Sequence, residues 1–156
     1  MCEALASEWY DAVFSEQHVA CYLHRQGLFQ SSSPELCTKV LAAMMAAGPG
    51  GRGALQVRCI ELHAYAVGGG LFTAGHKDNG SQWTLIVQLS AAADFDGGRF
   101  VTWHEGGAVV HRLRAGDGLL IPSEKLHNVA PVTRGLRHSL VVELWTGLTN
   151  RSDRFR

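Results

Sequence analysis

A histidine and an aspartate two residues apart, in His76-Lys77-Asp78, place an imidazole and a carboxylate on one side of an extended segment. The pair alone also reads as a turn, because Asp78-Asn79-Gly80 is strong turn chemistry. A second histidine, His127, opens a later apolar stretch, after Leu119-Leu120-Ile121-Pro122 and before Val129, Pro131 and Val132. A single strand histidine is more often a packed one, but beside His76 and Asp78 it completes a set of two imidazoles and one carboxylate. On a rigid β scaffold that set suits Fe(II) and leaves coordination positions open. Open positions separate a catalytic metal from a structural one. Arg137 stands ten residues after His127, with Gly135 in the turn between. Its permanently charged, two-pronged guanidinium inside a sheet suits the distal carboxylate of a dicarboxylate. A buried pair with Glu143 or Glu61 is the other reading.

These residues need a frame to hold them. The first fifty residues read as two helices. Leu5, Trp9, Val13, Val19 and Leu23 recur at helical spacing over Glu3–Gln26, with Gly27 as the stop. Ser33 reads as an N-cap ahead of Pro34 and Glu35, and Leu36, Val40, Leu41 and Met44 give one apolar face up to Gly48-Pro49-Gly50-Gly51. After Gly53 the pattern changes to short strands between glycines. Strands are predicted over 55–66, 71–78, 83–90, 98–104, 108–113, 117–122, 127–132 and 137–145, with turns at Glu105-Gly106-Gly107 and Arg114-Ala115-Gly116. Eight such strands predict a jelly roll or small barrel. In the last one, Leu140, Val142 and Leu144 should pack under the helices while Arg137, Ser139, Val141 and Glu143 face inward. An inward arginine and glutamate require a partner or a ligand.

The chain has 156 residues, the size of one domain, with 46% hydrophobic and 18% charged residues, an ordinary folded composition. Fourteen basic residues balance fourteen acidic ones, which argues against a nucleic-acid or acidic-membrane partner. Eighteen glycines predict many tight turns. No run approaches the roughly 18 apolar residues that span a bilayer. The first residues carry Glu3, Glu8 and Asp11 without a basic stretch, so no secretory signal is expected. Cys2, Cys21, Cys37 and Cys59 form no Cys-x-x-Cys pair, and a reducing compartment, cytoplasm or nucleus, is the expectation.

Between Tyr65 and Trp145 the sequence resembles the 2-oxoglutarate- and Fe(II)-dependent dioxygenases of the prolyl 4-hydroxylase-like branch. The resemblance is carried, in order, by Tyr65 with Gly68-Gly69-Gly70, His76-Lys77-Asp78, Thr84-Leu85 through Leu89-Ser90, and Phe95-Asp96-Gly97-Gly98-Arg99-Phe100. It continues through Ala115–Pro122, His127-Asn128-Val129-Ala130-Pro131-Val132-Thr133 and Gly135-Leu136-Arg137. It covers about 80 of the 156 residues. The resemblance implies a mainly β fold, a double-stranded β-helix (jelly roll) core over 55–147, with the two N-terminal helices (1–54) packed on one sheet and a polar tail (148–156), all in one domain. It implies that His76, Asp78 and His127 hold iron, that Arg137 and Tyr65 bind the C5 carboxylate of 2-oxoglutarate, and that Thr84 and Gln88 line the co-substrate pocket. The implied cofactors are Fe(II), 2-oxoglutarate and O2, with ascorbate as an accessory reductant.

The implied reaction is hydroxylation of a prolyl residue, or of a related peptide or small molecule, with decarboxylation of 2-oxoglutarate to succinate. The other class is a catalytically inactive jelly-roll binding module. Asn128 departs from the acidic residue common after the distal histidine, and the segment before the core is shorter than is usual. His63 shares the alternation of Tyr65 and reads first as a packed histidine. Trp103 and His104 flank a hairpin turn, and Gly68-Gly69-Gly70 reads as a loop able to act as a lid.

Overall fold

A computed structural model describes residues 10–48 and 54–152. The described residues begin with two antiparallel strands, β1 (Ala12–Ser15) and β2 (His18–Tyr22), followed by a turn of 3-10 helix and the helices α1 (Leu28–Ser32) and α2 (Pro34–Ala47). Nine strands follow: β3 (Gln56–Tyr65), β4 (Trp83–Gln88), β5 (Phe95–Gly97), β6 (Phe100–His104), β7 (Gly107–His111), β8 (Gly118–Pro122), β9 (His127–Val129), β10 (Val132–Gly135) and β11 (Arg137–Trp145). A six-stranded sheet in the order β1-β2-β3-β11-β4-β8 faces two small sheets, β10-β5 and β7-β6-β9. This is the mainly β, jelly-roll arrangement that the strand spacing predicts.

β11 organises both layers. Its outward Leu140, Val142 and Leu144 pack with Val57 and Ile60 of β3, Leu85 of β4, and Phe29, Cys37 and Met44 of the helices. The inner layer joins Tyr65, Ile86 and Ile121 of the large sheet to Phe100, Val129 and Val132 of the small ones. The period-2 alternation of β11 thus fixes which face is a hydrocarbon core and which is a site.

The predicted helix over Glu3–Gln26 is not what residues 10–26 form; residues 3–9 lie outside the described residues. Here β1 and β2 make a hairpin that joins the sheet through β2 and β3, with His18 opposite Tyr65 and Ala20 opposite His63. The β-branched and aromatic residues Val13, Phe14, Val19 and Tyr22 fit a pleated surface, and pairing with the long β3 outweighs the local helical spacing. The second helix starts at Pro34 as predicted, although Ser33 makes no side-chain cap hydrogen bond. Pro49, Gly50 and Gly51 lie outside the described residues.

Two strand predictions also change. Residues 71–78 make no strand: they contribute one bridge, Leu71 to Val129, then a loop through Gly75, whose φ is 71°. The predicted strand over 127–132 divides into β9 and β10. Pro131 has no N–H to extend a ladder, and the Ala130 N–H donates to the Arg99 carbonyl as the chain crosses between the small sheets.

The Gly68-Gly69-Gly70 segment, expected as a lid, is fastened. Gly68 N–H donates to Val132 O and Val132 N–H to Gly69 O, while a Cβ on Gly69 would sit 2.1 Å from the Gln17 carbonyl oxygen. The glycine here serves close backbone approach to the β1–β2 turn.

Candidate metal centre

His127 is the first residue of β9, whereas His76 and Asp78 sit on the loop between β3 and β4. That loop is tied to the scaffold at both ligands. The His76 carbonyl accepts the His127 N–H (3.2 Å) and the Asp78 N–H donates to Ser123 O (3.0 Å). Asn128 holds the segment upstream, donating from Nδ2 to the carbonyls of Leu71 (2.7 Å) and Thr73 (3.1 Å).

The structure brings the three side chains together. One ligand atom from each of His76, Asp78 and His127 lies within 4.8 Å of the others. Asp78 stands between the imidazoles, Oδ1 at 3.3 Å from His76 Nε2 and Oδ2 at 3.6 Å from His127 Nε2. His127 Nδ1 lies 2.9 Å from the Lys125 carbonyl, an acceptor only, so Nδ1 carries the proton and the Nε2 lone pair points at the centre. Burial alone would push the Asp78 carboxyl up. The His76 hydrogen bond, the nearby His127 and the Thr84 hydroxyl outweigh it and hold the carboxyl below its ordinary value. Thr84 Oγ1 donates to Asp78 Oδ2 at 2.8 Å and lies 2.8 Å from Ser123 Oγ.

A cavity of about 180 Å³ opens from this triad into the space between the sheets. The same cavity is lined by Arg137 and Tyr65, which face each other in register across β11 and β3. Arg137 is 1% exposed, donates from Nη1 to Ser139 Oγ (3.2 Å) and lies 5.2 Å from the Tyr65 ring centroid. Its Nε has no hydrogen-bond partner. Burial pushes the guanidinium below its ordinary value, with Tyr65 opposing the shift. Among the described residues no carboxylate pairs with Arg137. Glu143 pairs with Arg58 and Glu61 with His63, so the alternative of a buried arginine–glutamate pair does not hold. Gly98 makes room for the arginine stem: a Cβ there would lie 2.7 Å from Arg137 Cδ.

The remaining candidates separate. Thr84 lines the cavity, with its hydroxyl committed to Asp78. Gln88 does not line it. Its amide donates to the Ser90 carbonyl (3.1 Å), and it borders a smaller cavity shared with Gly98, His111 and Arg137. Trp103 and His104 stay on the β6–β7 hairpin and do not line the main cavity. His63 does line it, together with Glu61, His18 and Phe14. Glu61 was accessible from the sequence through its alternation with His63 and Tyr65; His18 and Phe14 were hidden by the helical spacing of their segment.

One bracing network was not apparent at all. β3 bulges at Arg58, where the partners of β11 slip from Glu143–Cys59 to Leu144–Val57. A bulge re-aims its side chain. Arg58 Nη1 donates to the Asn79 carbonyl (2.8 Å), Ser81 Oγ (2.9 Å) and Glu143 (3.2 Å), clamping the turn after Asp78 to the sheet. Arg58→Ala is expected to keep the fold and weaken Mn(II) binding about tenfold, the lower range for groups that orient metal ligands. Calorimetric titration with Mn(II) measures this.

No family model matches the chain. A PKHD-type hydroxylase of Synechococcus sp. (strain JA-3-3Ab) is 40% identical over 58 residues, 37% of this chain and 26% of the relative. A Burkholderia pseudomallei oxidoreductase of the 2OG-Fe(II) oxygenase family superposes with a TM-score of 0.63 at 18% identity, covering 86% of this chain and 72% of the other. Over part of its length the chain is thus similar to PKHD-type hydroxylases, and its fold is the one seen in 2OG-Fe(II) oxygenase structures. A Pseudomonas putida prolyl-4-hydroxylase shares the fold, with a TM-score of 0.60 at 17% identity over 92% of this chain and 77% of the other. The chain spans only about a quarter of the length of the first curated relatives it matches. Among the described residues, no helix is long and apolar enough to cross a membrane.

Proposed function

We propose that this protein is an Fe(II)- and 2-oxoglutarate-dependent hydroxylase. The observation that carries the reading is one cavity lined both by an imidazole–carboxylate–imidazole set and by a buried arginine that has no carboxylate partner among the described residues. The donor set fits Fe(II): one carboxylate oxygen and two imidazole nitrogens, held by backbone and hydroxyl contacts. Iron bound there supplies oxygen activation coupled to decarboxylation of 2-oxoglutarate to succinate.

The chain's own residues then have distinct tasks. Arg137, with Ser139 on its Nη1 and Tyr65 beside it, binds the distal carboxylate and so directs the other end of the co-substrate toward the triad. Ile86, Phe100, Val129 and Val141 line the space between and exclude water. Asp78 is already ionised at neutral pH, so metal capture needs no proton loss from it. The solved neighbours named prolyl hydroxylases support a peptide substrate presenting a prolyl residue, with a related small molecule as the variant of the same reading. An inactive binding module is disfavoured, because all three donors and Arg137 converge on one cavity.

Anaerobic addition of Fe(II) and 2-oxoglutarate to the metal-free protein is the test. A visible charge-transfer band is expected in wild type and absent in His127→Ala. A folded wild type that gives no band would sink the proposal.

A further inference from the structure

Three buried titratable groups on the cavity wall have no task in the reading above: Glu61, His63 and His18. Alternation along β3 puts Glu61, His63 and Tyr65 on the inner face, and the β2–β3 register sets His18 directly across from Tyr65. The three groups form a chain. Glu61 Oε2 lies 2.9 Å from His63 Nε2, and His63 Nδ1 lies 2.9 Å from His18 Nε2. All three are buried, Glu61 completely.

The chain ends on a stack. The His18 ring lies 4.4 Å from Phe14 at 22° and 4.1 Å from Tyr65 at 23°, and the Arg137 guanidinium covers the Tyr65 ring at 5.2 Å. Phe14, half exposed, closes the outer end. Tyr65 is therefore clamped between an imidazole and a guanidinium. An imidazole can still turn about its terminal torsion, which is soft. His63 removes that freedom through a hydrogen bond, and Glu61 removes it for His63 in turn. A buried carboxylate is expensive unless it is paired, so a carboxylate placed to orient two imidazoles in a row points to a requirement for their orientation.

We propose that His18, oriented by the Glu61–His63 pair, is a positioning residue that sets Tyr65 and Arg137 for the distal carboxylate of 2-oxoglutarate. This rests on the co-substrate reading above. It makes the N-terminal hairpin a working part of the binding site rather than a support for it.

The test is calorimetric titration of 2-oxoglutarate into the whole protein saturated with Mn(II), alongside separate titration with Mn(II) alone. His18→Ala removes the stack and the hydrogen bond, and is expected to weaken 2-oxoglutarate about tenfold, the upper end for one aromatic stack. His18→Phe keeps the stack and should recover to within about threefold of wild type. Mn(II) affinity should not move in either variant. Should His18→Ala fail to fold, Glu61→Gln, nearly identical in shape, carries the test with an expected loss of about threefold. Wild-type 2-oxoglutarate affinity in a folded His18→Ala, or equal losses for Mn(II) and 2-oxoglutarate, would overturn the inference and leave the co-substrate reading standing. A wild type that takes up Mn(II) but no 2-oxoglutarate would overturn both.

Discussion

Asp78→Ala is expected to lose more than about 100-fold in Mn(II) affinity while keeping the fold, a larger effect than the 10–100-fold typical of groups that only orient ligands. The expectation follows from where the carboxylate stands. It is the one anion of the triad, placed between His76 Nε2 and His127 Nε2. Without it a divalent cation would meet only the two imidazoles of the set. Asp78→Asn separates charge from shape, because the amide oxygen can still accept the Thr84 hydroxyl. An Asn variant within tenfold of wild type would show that Asp78 anchors the loop rather than binding the ion.

The same carboxyl gives a pH signature in the metal-free protein. Its folded-state value lies below the ordinary one of about 3.9. The stability it contributes is therefore present above that ordinary value and is lost as pH falls through the lower, folded one. Acid unfolding of Asp78→Asn should lack this component, which urea titrations at pH 3 and pH 7 would reveal.

How much of this was legible in the sequence depended on whether the signal was local. The alternation in β11 is local, and it separates Leu140, Val142 and Leu144, which pack into the outer core, from Arg137, Ser139 and Val141, which line the cavity. The Ser33-Pro34 start of α2 was local too. The β1–β2 hairpin was not. Its residues carry a helical spacing, and only the long β3 beside them selects the extended form, so His18 and Phe14 could not be placed at the site.

Glu143 shows a different limit. Sequence demanded a partner for it, and the structure supplies Arg58 through a bulge, which no pattern of residue types announces. His76 and Asp78 converge although the predicted strand is a loop. A two-residue spacing can bring side chains together in either conformation, provided that backbone ties such as Asp78 N–H to Ser123 O hold the loop.

Arg137→Gln should leave Mn(II) binding unchanged and weaken 2-oxoglutarate roughly 100-fold or more, the effect of removing one partner from a buried charge pair. Arg137→Lys should fall between, about tenfold weaker than wild type, since it keeps the charge but loses the planar fork and the stack on Tyr65. Burying Arg137 has a second, opposite consequence. Arg137 is enclosed with a serine hydroxyl and an aromatic ring for company, and its depressed pKa registers the desolvation. A charge held that way destabilises the ligand-free fold, because neutral replacements for buried charges are often neutral or stabilising. Arg137→Gln is therefore expected to unfold at an equal or higher temperature than wild type without ligand, and to lose the stabilisation that saturating 2-oxoglutarate gives the Mn(II)-bound wild type. Thermal melts of both proteins with and without the co-substrate distinguish this from a structural arginine. An arginine that holds the fold would lower the ligand-free melting temperature when replaced, whereas one held ready for a dicarboxylate lowers only the ligand-dependent increment.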